Sequence, residues 1–241
     1  MNQHASWTIE QIAAKLAEIK AKGFIGIPSN MFRSDEGVVG QILEKEFGLK
    51  ENNLRVGDLG EFELKGMRKT SSTLTLCHRK PETGLNPIEI FDRFGYIRPS
   101  NRAPAVLKKK LFCTITGKRL NSLDFRLQPE KRSYINLFYK DEFISRWNLT
   151  DAIEKINKII LVFADTIGMT NAEDEKFHYT KAILLNGLKP INELVNTGKI
   201  VIDFCIDQVV GGKKGPHDRG PHIRMPKTAF VSAYSDVKII L

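Results

Sequence analysis

The segment VGDLGEFELKGMR, residues 56–68, carries acidic residues, a lysine and glycines where alternating side chains otherwise predict a β-strand. Strand interiors generally avoid Asp, Glu and Gly, so this composition needs a physical reason. The two-residue period of a strand puts Phe62 and Leu64 on one face. Glu63 and Lys65 then share the other face, about 7 Å apart along the strand.

The glycines of this segment suggest the reason. Asp58 lies five residues before Glu63, so a flat strand would place the two carboxylates on opposite faces. Gly57 and Gly60 permit a bend or bulge that returns Asp58 to the side of Glu63. Because two neighbouring carboxylates repel each other, the predicted arrangement requires a cation.

We expect that cation to be Mg²⁺, which prefers oxygen ligands and needs few from the protein. The expected ligands are the carboxylates of Asp58 and Glu63 and the backbone carbonyl of Leu64, while Lys65 orients the metal-bound water or accepts its proton. The implied chemistry is metal-assisted hydrolysis of a phosphodiester. The acid-x-Lys pattern alone is weak, since residues 236–238 also match it, and an ordinary surface salt bridge is the alternative.

Bulk composition is that of a soluble globular protein with one large or two small domains: 241 residues, 41% apolar and 27% charged. No apolar run reaches the roughly eighteen residues of a membrane span, and the start of the chain lacks the pattern of a secretory signal. Cys77, Cys113 and Cys205 lie far apart in apolar surroundings and predict buried thiols in a reducing compartment. We therefore expect a cytoplasmic protein.

The net charge of +9 is unevenly distributed. Residues 98–132 hold ten basic residues against two acidic ones, which accounts for most of the excess. A localised basic segment is typical of a protein that binds a polyanion such as a nucleic acid. The alternative is a solvated basic face without a partner.

Helical and strand-like patterns are interleaved along the chain. Thr8 and Gln11 form a capping-box pattern at the start of the first predicted helix. Helices are predicted at 8–23, 35–48, 151–157 and 190–198, strands at 62–67, 72–78, 121–128, 133–139, 158–168 and 199–207, and a Gly/Pro/basic loop at 208–227. The predicted fold class is α/β (α+β) with a mixed sheet, in one compact domain over residues 1–241.

Four separated blocks resemble a known family: GVVGQILEKEFG, GDLGEFELKGMR, LTLCHRKP and KGPHDRGPHIR, which begin at residues 37, 57, 74 and 214. In the same order they are similar to the MvaI/BcnI family of type II restriction endonucleases, a branch of the PD-(D/E)xK nucleases related to the mismatch-repair nickase MutH. The resemblance implies a restriction-endonuclease-like core, with a mixed sheet flanked by helices and two lobes around a DNA cleft. The catalytic lobe would centre on residues 35–80, with recognition elements near 78 and 207–227.

The resemblance also implies roles for individual residues. Asp58, Glu63 and Lys65 correspond to the catalytic triad, and Glu44 corresponds to a helix glutamate that supports the metal site; the residues alone would not single out Glu44. The family cleaves CC-N-GG sites, and the members that accept C or G at the centre resemble this chain most, so the expected site is 5′-CCSGG. Such members act as monomers in the bacterial cytoplasm and nick one strand and then the other. A methyltransferase that protects the same site is expected as a genetic companion only.

The resemblance implies base contacts in the block near residue 214, and the block suits a G·C-rich site because Arg pairs with guanine and Asp accepts from cytosine N4. A mobile basic loop is the alternative. The candidate residues there are Lys213, Lys214, His217, Asp218, Arg219, His222 and Arg224. Candidate phosphate contacts, which supply affinity more than specificity, are Arg33, Arg68, Lys69 and the basic segment 98–132.

His78 and His222 raise a sharper hypothesis about the central base pair. A neutral imidazole has one donor and one acceptor nitrogen, and a change of tautomer exchanges them. A histidine on each side of the pair would therefore accept C·G or G·C and reject A·T. The alternative for His78 is a half-buried strand residue beside Leu74 and Leu76.

Two other functions fit the same residues. A MutH-like repair nickase would need a partner protein to cleave, whereas a restriction enzyme cuts plasmid alone into discrete bands. A non-catalytic DNA-binding protein on a nuclease scaffold would usually have lost Asp58, Glu63 or Lys65, and all three are present.

Overall fold

A computed structural model of the chain describes residues 6–32, 35–49, 57–101 and 103–241. Contacts divide these residues into two compact units. The first unit comprises described residues within 1–72, 153–188 and 230–241, and the second comprises those within 73–152 and 189–229. The prediction of a single domain with a DNA cleft between two lobes stays a prediction.

The helices of the described residues are α1 (Ile9–Ala21), α2 (Val38–Glu46), α3 (Pro87–Phe94), α4 (Thr150–Ile156), α5 (Ile191–Asn196) and α6 (Phe230–Ala233). The strands are β1 (Ile25–Gly26), β2 (Glu63–Arg68), β3 (Thr73–His78), β4 (Thr83–Gly84), β5 (Tyr96–Pro99), β6 (Leu107–Ile115), β7 (Phe125–Glu130), β8 (Tyr134–Tyr139), β9 (Glu142–Asn148), β10 (Lys158–Ile167), β11 (Lys176–Leu188), β12 (Val201–Val209), β13 (His217–Asp218), β14 (His222–Pro226) and β15 (Tyr234–Ile239).

The first unit contains a mixed five-stranded sheet in the order β1-β11-β10-β2, with β15 also paired to β11. Only the β2–β10 pair is parallel among these pairings, and it sets Glu63 opposite Ile159 and Lys65 opposite Leu161. The β10 side chains from Ile159 to Ala164 are buried, as expected for an apolar run in the middle of a sheet. The mixed α+β sheet predicted from the sequence is confirmed.

Two helices cover one face of this sheet. In α1 the predicted capping box is present, since Thr8 and Gln11 exchange backbone-to-side-chain hydrogen bonds, and Ile12 and Leu16 are fully buried. The apolar stripe of α2 joins the same core. Gly66 of β2 permits close packing of α2, because a Cβ atom there would lie 2.9 Å from the Val39 carbonyl oxygen and 3.1 Å from the Gly40 Cα. This contact sets the distance between α2 and the strand that carries Glu63.

The second unit contains two antiparallel sheets. One has the order β3-β14-β12-β6-β5, with β13 on β12, and the other has the order β4-β9-β8-β7. The pairing of β3 with β14 sets His78 directly opposite His222. Trp147 and Phe204 are buried and pack edge to face, with ring centroids 6.3 Å apart. This register brings together two histidines that lie far apart in sequence.

Some elements differ from the sequence predictions. Residues 208–227 are not only a loop, since they include β13 and β14. The basic segment 98–132 includes β6, whose three consecutive lysines conceal the strand alternation although Leu111 and Ile115 are buried. Helix α3 and the thirteen-residue β11 had no counterpart in the predicted elements. The strands depend on pairing with distant segments, whereas α3 has a local signal that the sequence analysis missed, the capping box of Asn86 and Glu89.

Arg68, expected to contact phosphate, is instead buried at the end of β2 with 2% exposure. Its Nε and Nη2 donate to the two carboxylate oxygens of the fully buried Glu175, at 2.6 and 2.7 Å. Nη1 donates to Glu36 and Nη2 also donates to Asn171. A guanidinium whose donors are engaged in this way is not available to DNA, so Arg68 has a structural role.

We expect Glu175→Gln to lower the free energy of unfolding by about 3–5 kcal/mol, because it removes the buried counter-charge of Arg68 and leaves only the exposed carboxylate of Glu36. Urea denaturation followed by circular dichroism measures the change. The matched control is Glu142→Gln, which breaks the bidentate pair that Glu142 forms with Arg93 on an exposed surface. The control should lose much less stability. Equal losses of unfolding free energy in the two variants would show that the buried pair contributes no more to stability than the exposed pair.

Candidate active site

The bend before β2 is a tight turn that depends on glycine. Isolated antiparallel bridges join Gly57 to Gly60 and Leu59 to Phe62, and the Leu59 N–H donates to the Phe62 carbonyl at 3.0 Å. Gly60 has a φ of +79°, which side chains disfavour. A Cβ atom at Gly57 would lie 2.6 Å from the Phe62 carbonyl oxygen. The glycines therefore allow the chain to fold back, as predicted.

This turn brings Asp58 to the start of β2. Asp58 Oδ2 accepts a hydrogen bond from the Leu64 N–H at 3.1 Å. Burial and the negative charge of Glu63 raise the pKa of Asp58 above its usual value. The two carboxylates are thus close enough to interact electrostatically, as the sequence predicted.

Lys65 lies on the same face of β2 as Glu63, and its Nζ is 2.6 Å from Glu63 Oε1. Burial disfavours the ammonium, but the charges of Glu63, Asp58 and Glu44 outweigh that effect and raise the pKa of Lys65. Lys65 is therefore a stable cation in this arrangement. Orienting a water fits that state better than accepting a proton from it.

Glu44 is half-buried on α2 and contributes to the negative potential at Lys65. Its Oε1 lies 4.0 Å from a Cβ atom built at Gly40, one turn earlier on α2, and the same Cβ atom lies 4.0 Å from the backbone nitrogen of Gly66. The structure thus brings Glu44 to the same group of charges as Asp58, Glu63 and Lys65. Only the family resemblance pointed to this residue, since its place on the helix looked like that of any exposed acid.

Lys155 is a member of this group that the sequence analysis missed. It lies in the last turn of α4, and its Nζ is 3.1 Å from Glu63 Oε2. Its side chain also lines a pocket of about 280 Å³ beside the turn. No sequence signal identifies it, because one lysine in a short helix has no spacing relation to the Glu63 segment. The pocket is lined by Gly57, Gly60, Glu61, Glu154, Lys155, Asn157 and Lys158, with Lys158 paired to Glu61.

The donor set fits a hard divalent cation. Glu63 is 2% exposed, yet its Oε2 has no hydrogen-bond partner among the described residues. The same residues contain no cluster of three or more His, Cys, Asp or Glu side chains with metal-site spacing. Two carboxylates, from Asp58 and Glu63, and a backbone carbonyl suit Mg²⁺, which keeps several waters, better than a metal that needs three or four side-chain ligands.

The second unit pairs the two histidines singled out in the sequence. The rings of His78 and His222 lie edge to face with centroids 4.4 Å apart. His78 is exposed, whereas His222 is 8% exposed and its Nδ1 has no hydrogen-bond partner among the described residues. Burial, followed by the charges of His78, Arg224 and Arg219, lowers the pKa of His222 to about 4. His222 is therefore neutral at physiological pH, as a change of tautomer requires.

The other candidate DNA-contact residues differ in their hydrogen bonds and in their exposure. Arg224 is half-buried, with Nη1 donating to Asp203 at 2.9 Å and Nε donating to Thr75 at 3.2 Å. Asp218 accepts from the Gly220 N–H at 2.7 Å. The side chains of Lys213, Lys214, His217 and Arg219 are exposed. Lys69, in the first unit, is also exposed, and its Nζ lies 2.7 Å from Asp165 Oδ2. Arg33 lies outside the described residues.

Comparison with solved structures identifies the fold. The complex of restriction endonuclease MvaI with its cognate DNA substrate matches the whole of both chains with a TM-score of 0.76 and 19% identity. MvaI in the absence of DNA matches 100% of this chain and 99% of its own, with a TM-score of 0.51 and 18% identity. At these identities the likeness establishes the fold, which is that of a restriction endonuclease.

The chain belongs to the MvaI/BcnI restriction endonuclease family, whose family model matches residues 13–234. The resemblance carried by the four sequence blocks is therefore confirmed. Membership establishes the general class of activity, which is site-specific endonucleolytic cleavage. No curated protein sequence matches the chain. Among the helices of the described residues, none has the length and apolar character needed to cross a membrane.

A pH-dependent contribution to stability follows from the burial of His222. Its pKa falls from 6.5 to about 4 on folding, so between these values the unfolded chain binds more protons than the folded one. The contribution of His222 is complete above pH 6.5 and is lost as the pH falls toward 4. We expect His222→Gln to flatten the decline in unfolding free energy over this range, measured by urea denaturation at several pH values.

The control for this experiment is His217→Gln, which removes an exposed histidine from the same unit. The control should follow the wild-type decline. If His222→Gln declined as steeply as the wild type, the buried histidine would not be the group responsible.

Proposed function

We propose that this chain is a type II restriction endonuclease that hydrolyses both strands of duplex DNA at a short C/G-rich site, expected to be 5′-CCSGG, with Mg²⁺ as cofactor. The observation that supports the proposal most directly is the turn that gathers Asp58, Glu63 and Lys65 at the start of β2 in a member of this family. A neighbour of the same fold is MvaI in complex with its cognate DNA substrate.

The proposed mechanism assigns a role to each charge. Asp58, Glu63 and the backbone carbonyl of Leu64 would hold the metal ion, which would supply Lewis acidity and lower the pKa of a water molecule. Lys65, a stable ammonium, orients the attacking water and offsets the negative charge that develops on the phosphate. Glu44 adds negative charge that keeps Lys65 protonated and in place.

Sequence recognition is assigned to the second unit. Neutral His222 and exposed His78 would read the central pair in either C·G or G·C orientation by changing tautomer. Asp203 and Thr75 hold Arg224 in a fixed orientation, which suits a bidentate contact with guanine. Base or phosphate contacts in this unit are assigned to Asp218 and to the exposed Lys213, Lys214, His217 and Arg219, and a phosphate contact is assigned to Lys69 of the first unit.

The remaining proposals rest on the family. The enzyme acts as a monomer in the bacterial cytoplasm and cuts the two strands in sequential nicks. A DNA methyltransferase that modifies the same site protects the host and makes no physical complex with the nuclease. A partner-dependent nickase is the competing function, and cleavage of plasmid by the purified chain alone distinguishes the two.

The purified protein with Mg²⁺ should cut plasmid DNA into discrete bands, and sequencing of the ends should give the site and the cut positions. Asp58→Asn should lower the rate by more than about a hundredfold, since even changes next to metal ligands cost up to that much. The matched control is Asp236→Asn, because Asp236 belongs to an acid-x-Lys triplet on β15, where its side chain is 38% exposed and lies 3.2 Å from Lys238 Nζ. Full activity in Asp58→Asn would refute the metal-site assignment, and single nicks without linear product would favour a nickase.

Cleavage of the four central-pair variants tests the two histidines. His78→Ala and His222→Ala should each reduce discrimination against A·T-centred sites, by roughly 5- to 150-fold if one base pair is worth about 1–3 kcal/mol. Rates on short duplexes that differ only at the centre give the ratio. His178→Ala, in the first unit, is the control. Unchanged ratios in both variants would remove the histidines from base recognition.

A further inference from the structure

Two ammonium groups contact the buried carboxylate of Glu63, and they do so differently. Lys65 Nζ lies 2.6 Å from Oε1, on the same strand. Lys155 Nζ approaches Oε2 from α4 at 3.1 Å, yet Oε2 is a buried atom without a hydrogen-bond partner among the described residues. The Lys155 contact is therefore electrostatic and lacks hydrogen-bonding geometry. Of the two lysines, Lys155 is the one whose removal breaks no hydrogen bond to Glu63.

Lys155 contacts an oxygen of the carboxylate that the proposed function assigns to the metal ion. Oε2 of Glu63 accepts no hydrogen bond from the described residues. The Lys155 charge also acts on Asp58, since it lowers the pKa of Asp58 against the stronger effects of burial and Glu63. A cation bound between Asp58 and Glu63 would meet the Lys155 ammonium at close range. Two cations so close together repel each other strongly where water is scarce.

We propose that Lys155 is the internal counter-cation of Glu63 in the metal-free enzyme, and that its ammonium must leave Oε2 when a divalent cation binds. The inference rests on the proposed function, because it takes Glu63 as a metal ligand. Lys155 thus compensates a buried charge that would otherwise destabilise the fold, and it competes with the metal for the same oxygen. Metal binding is weakened by the cost of breaking this contact.

The surroundings of Lys155 allow the displacement. Its side chain, 27% exposed, lines the 280 Å³ pocket, and Gly57 and Gly60 leave one wall of that pocket without side chains. A lysine has a long flexible stem and three donors that reorient readily. The ammonium can therefore turn from Glu63 into the pocket without rearrangement of α4 or β2.

The test measures Ca²⁺ binding to the DNA-free protein by isothermal titration calorimetry, because Ca²⁺ takes the same oxygen ligands. Lys155→Met should bind Ca²⁺ at least about fivefold more tightly than the wild type, the lower end of a typical coupling between linked sites. Its melting temperature without metal should be lower, and the rise on adding Ca²⁺ should be larger. Lys155→Gln, which removes the charge but keeps a polar donor, should also bind Ca²⁺ more tightly and carries the test if the Met variant does not fold.

The matched control is Lys158→Met, since Lys158 lines the same pocket but pairs with Glu61. If Lys158→Met tightened Ca²⁺ binding as much as Lys155→Met, general electrostatics rather than competition for Glu63 would explain the effect, and the inference would be overturned. Unchanged Ca²⁺ affinity in both Lys155 variants would overturn it as well. Asp58→Asn distinguishes failure of this inference from failure of the proposed function. If the wild type does not bind Ca²⁺, or if Ca²⁺ binding survives Asp58→Asn, the proposed metal site itself is wrong.

Discussion

The arrangement of the first unit depends on one buried negative charge. Glu63 is 2% exposed at the start of a strand in a mixed sheet, and a carboxylate in such a place is costly unless it is compensated. Lys65 on the same strand and Lys155 on α4 supply the compensation. Glu63 is therefore not half of a simple ion pair. Its negative charge is shared between two ammonium groups, each of which also has to be solvated or paired.

Strand β2 is anchored by charge at both of its ends. Glu63 lies among ammonium groups at the beginning, and Arg68 forms its bidentate pair with Glu175 at the end. Between them Gly66 allows α2 to pack closely, which brings Glu44 toward Lys65. The described residues pair β2 with β10 alone, so these side-chain interactions add to the hydrogen bonds of one neighbouring strand. These contacts restrict the position of β2 and therefore of its polar side chains, Glu63 and Lys65.

The second unit holds the polar side chains that the proposed function assigns to DNA recognition. Asp203 and Thr75 hold the Arg224 guanidinium, and the burial of His222 keeps its imidazole neutral. A charged histidine would offer only donors, whereas the neutral ring offers one donor and one acceptor. Lowering a pKa by burial is therefore consistent with reading base edges, where acceptors and donors alternate.

Local sequence determined much of the catalytic segment. Strand alternation put Glu63 and Lys65 on one face, and Gly57 and Gly60 allowed the turn that returns Asp58, because backbone sterics act over a few residues. Helix α1 was predictable for the same reason, since its cap and apolar stripe are local. The family blocks added Glu44, which the local pattern did not distinguish.

The tertiary structure alone decided which distant side chains join these. Lys155 reaches Glu63 from α4, and Arg68 is taken into the core by Glu175 rather than left for DNA. The pairing of β3 with β14 sets His78 against His222. These contacts depend on strand register and on the cost of burying charge, which are summed over the whole fold and leave no mark on the spacing of residues in the sequence.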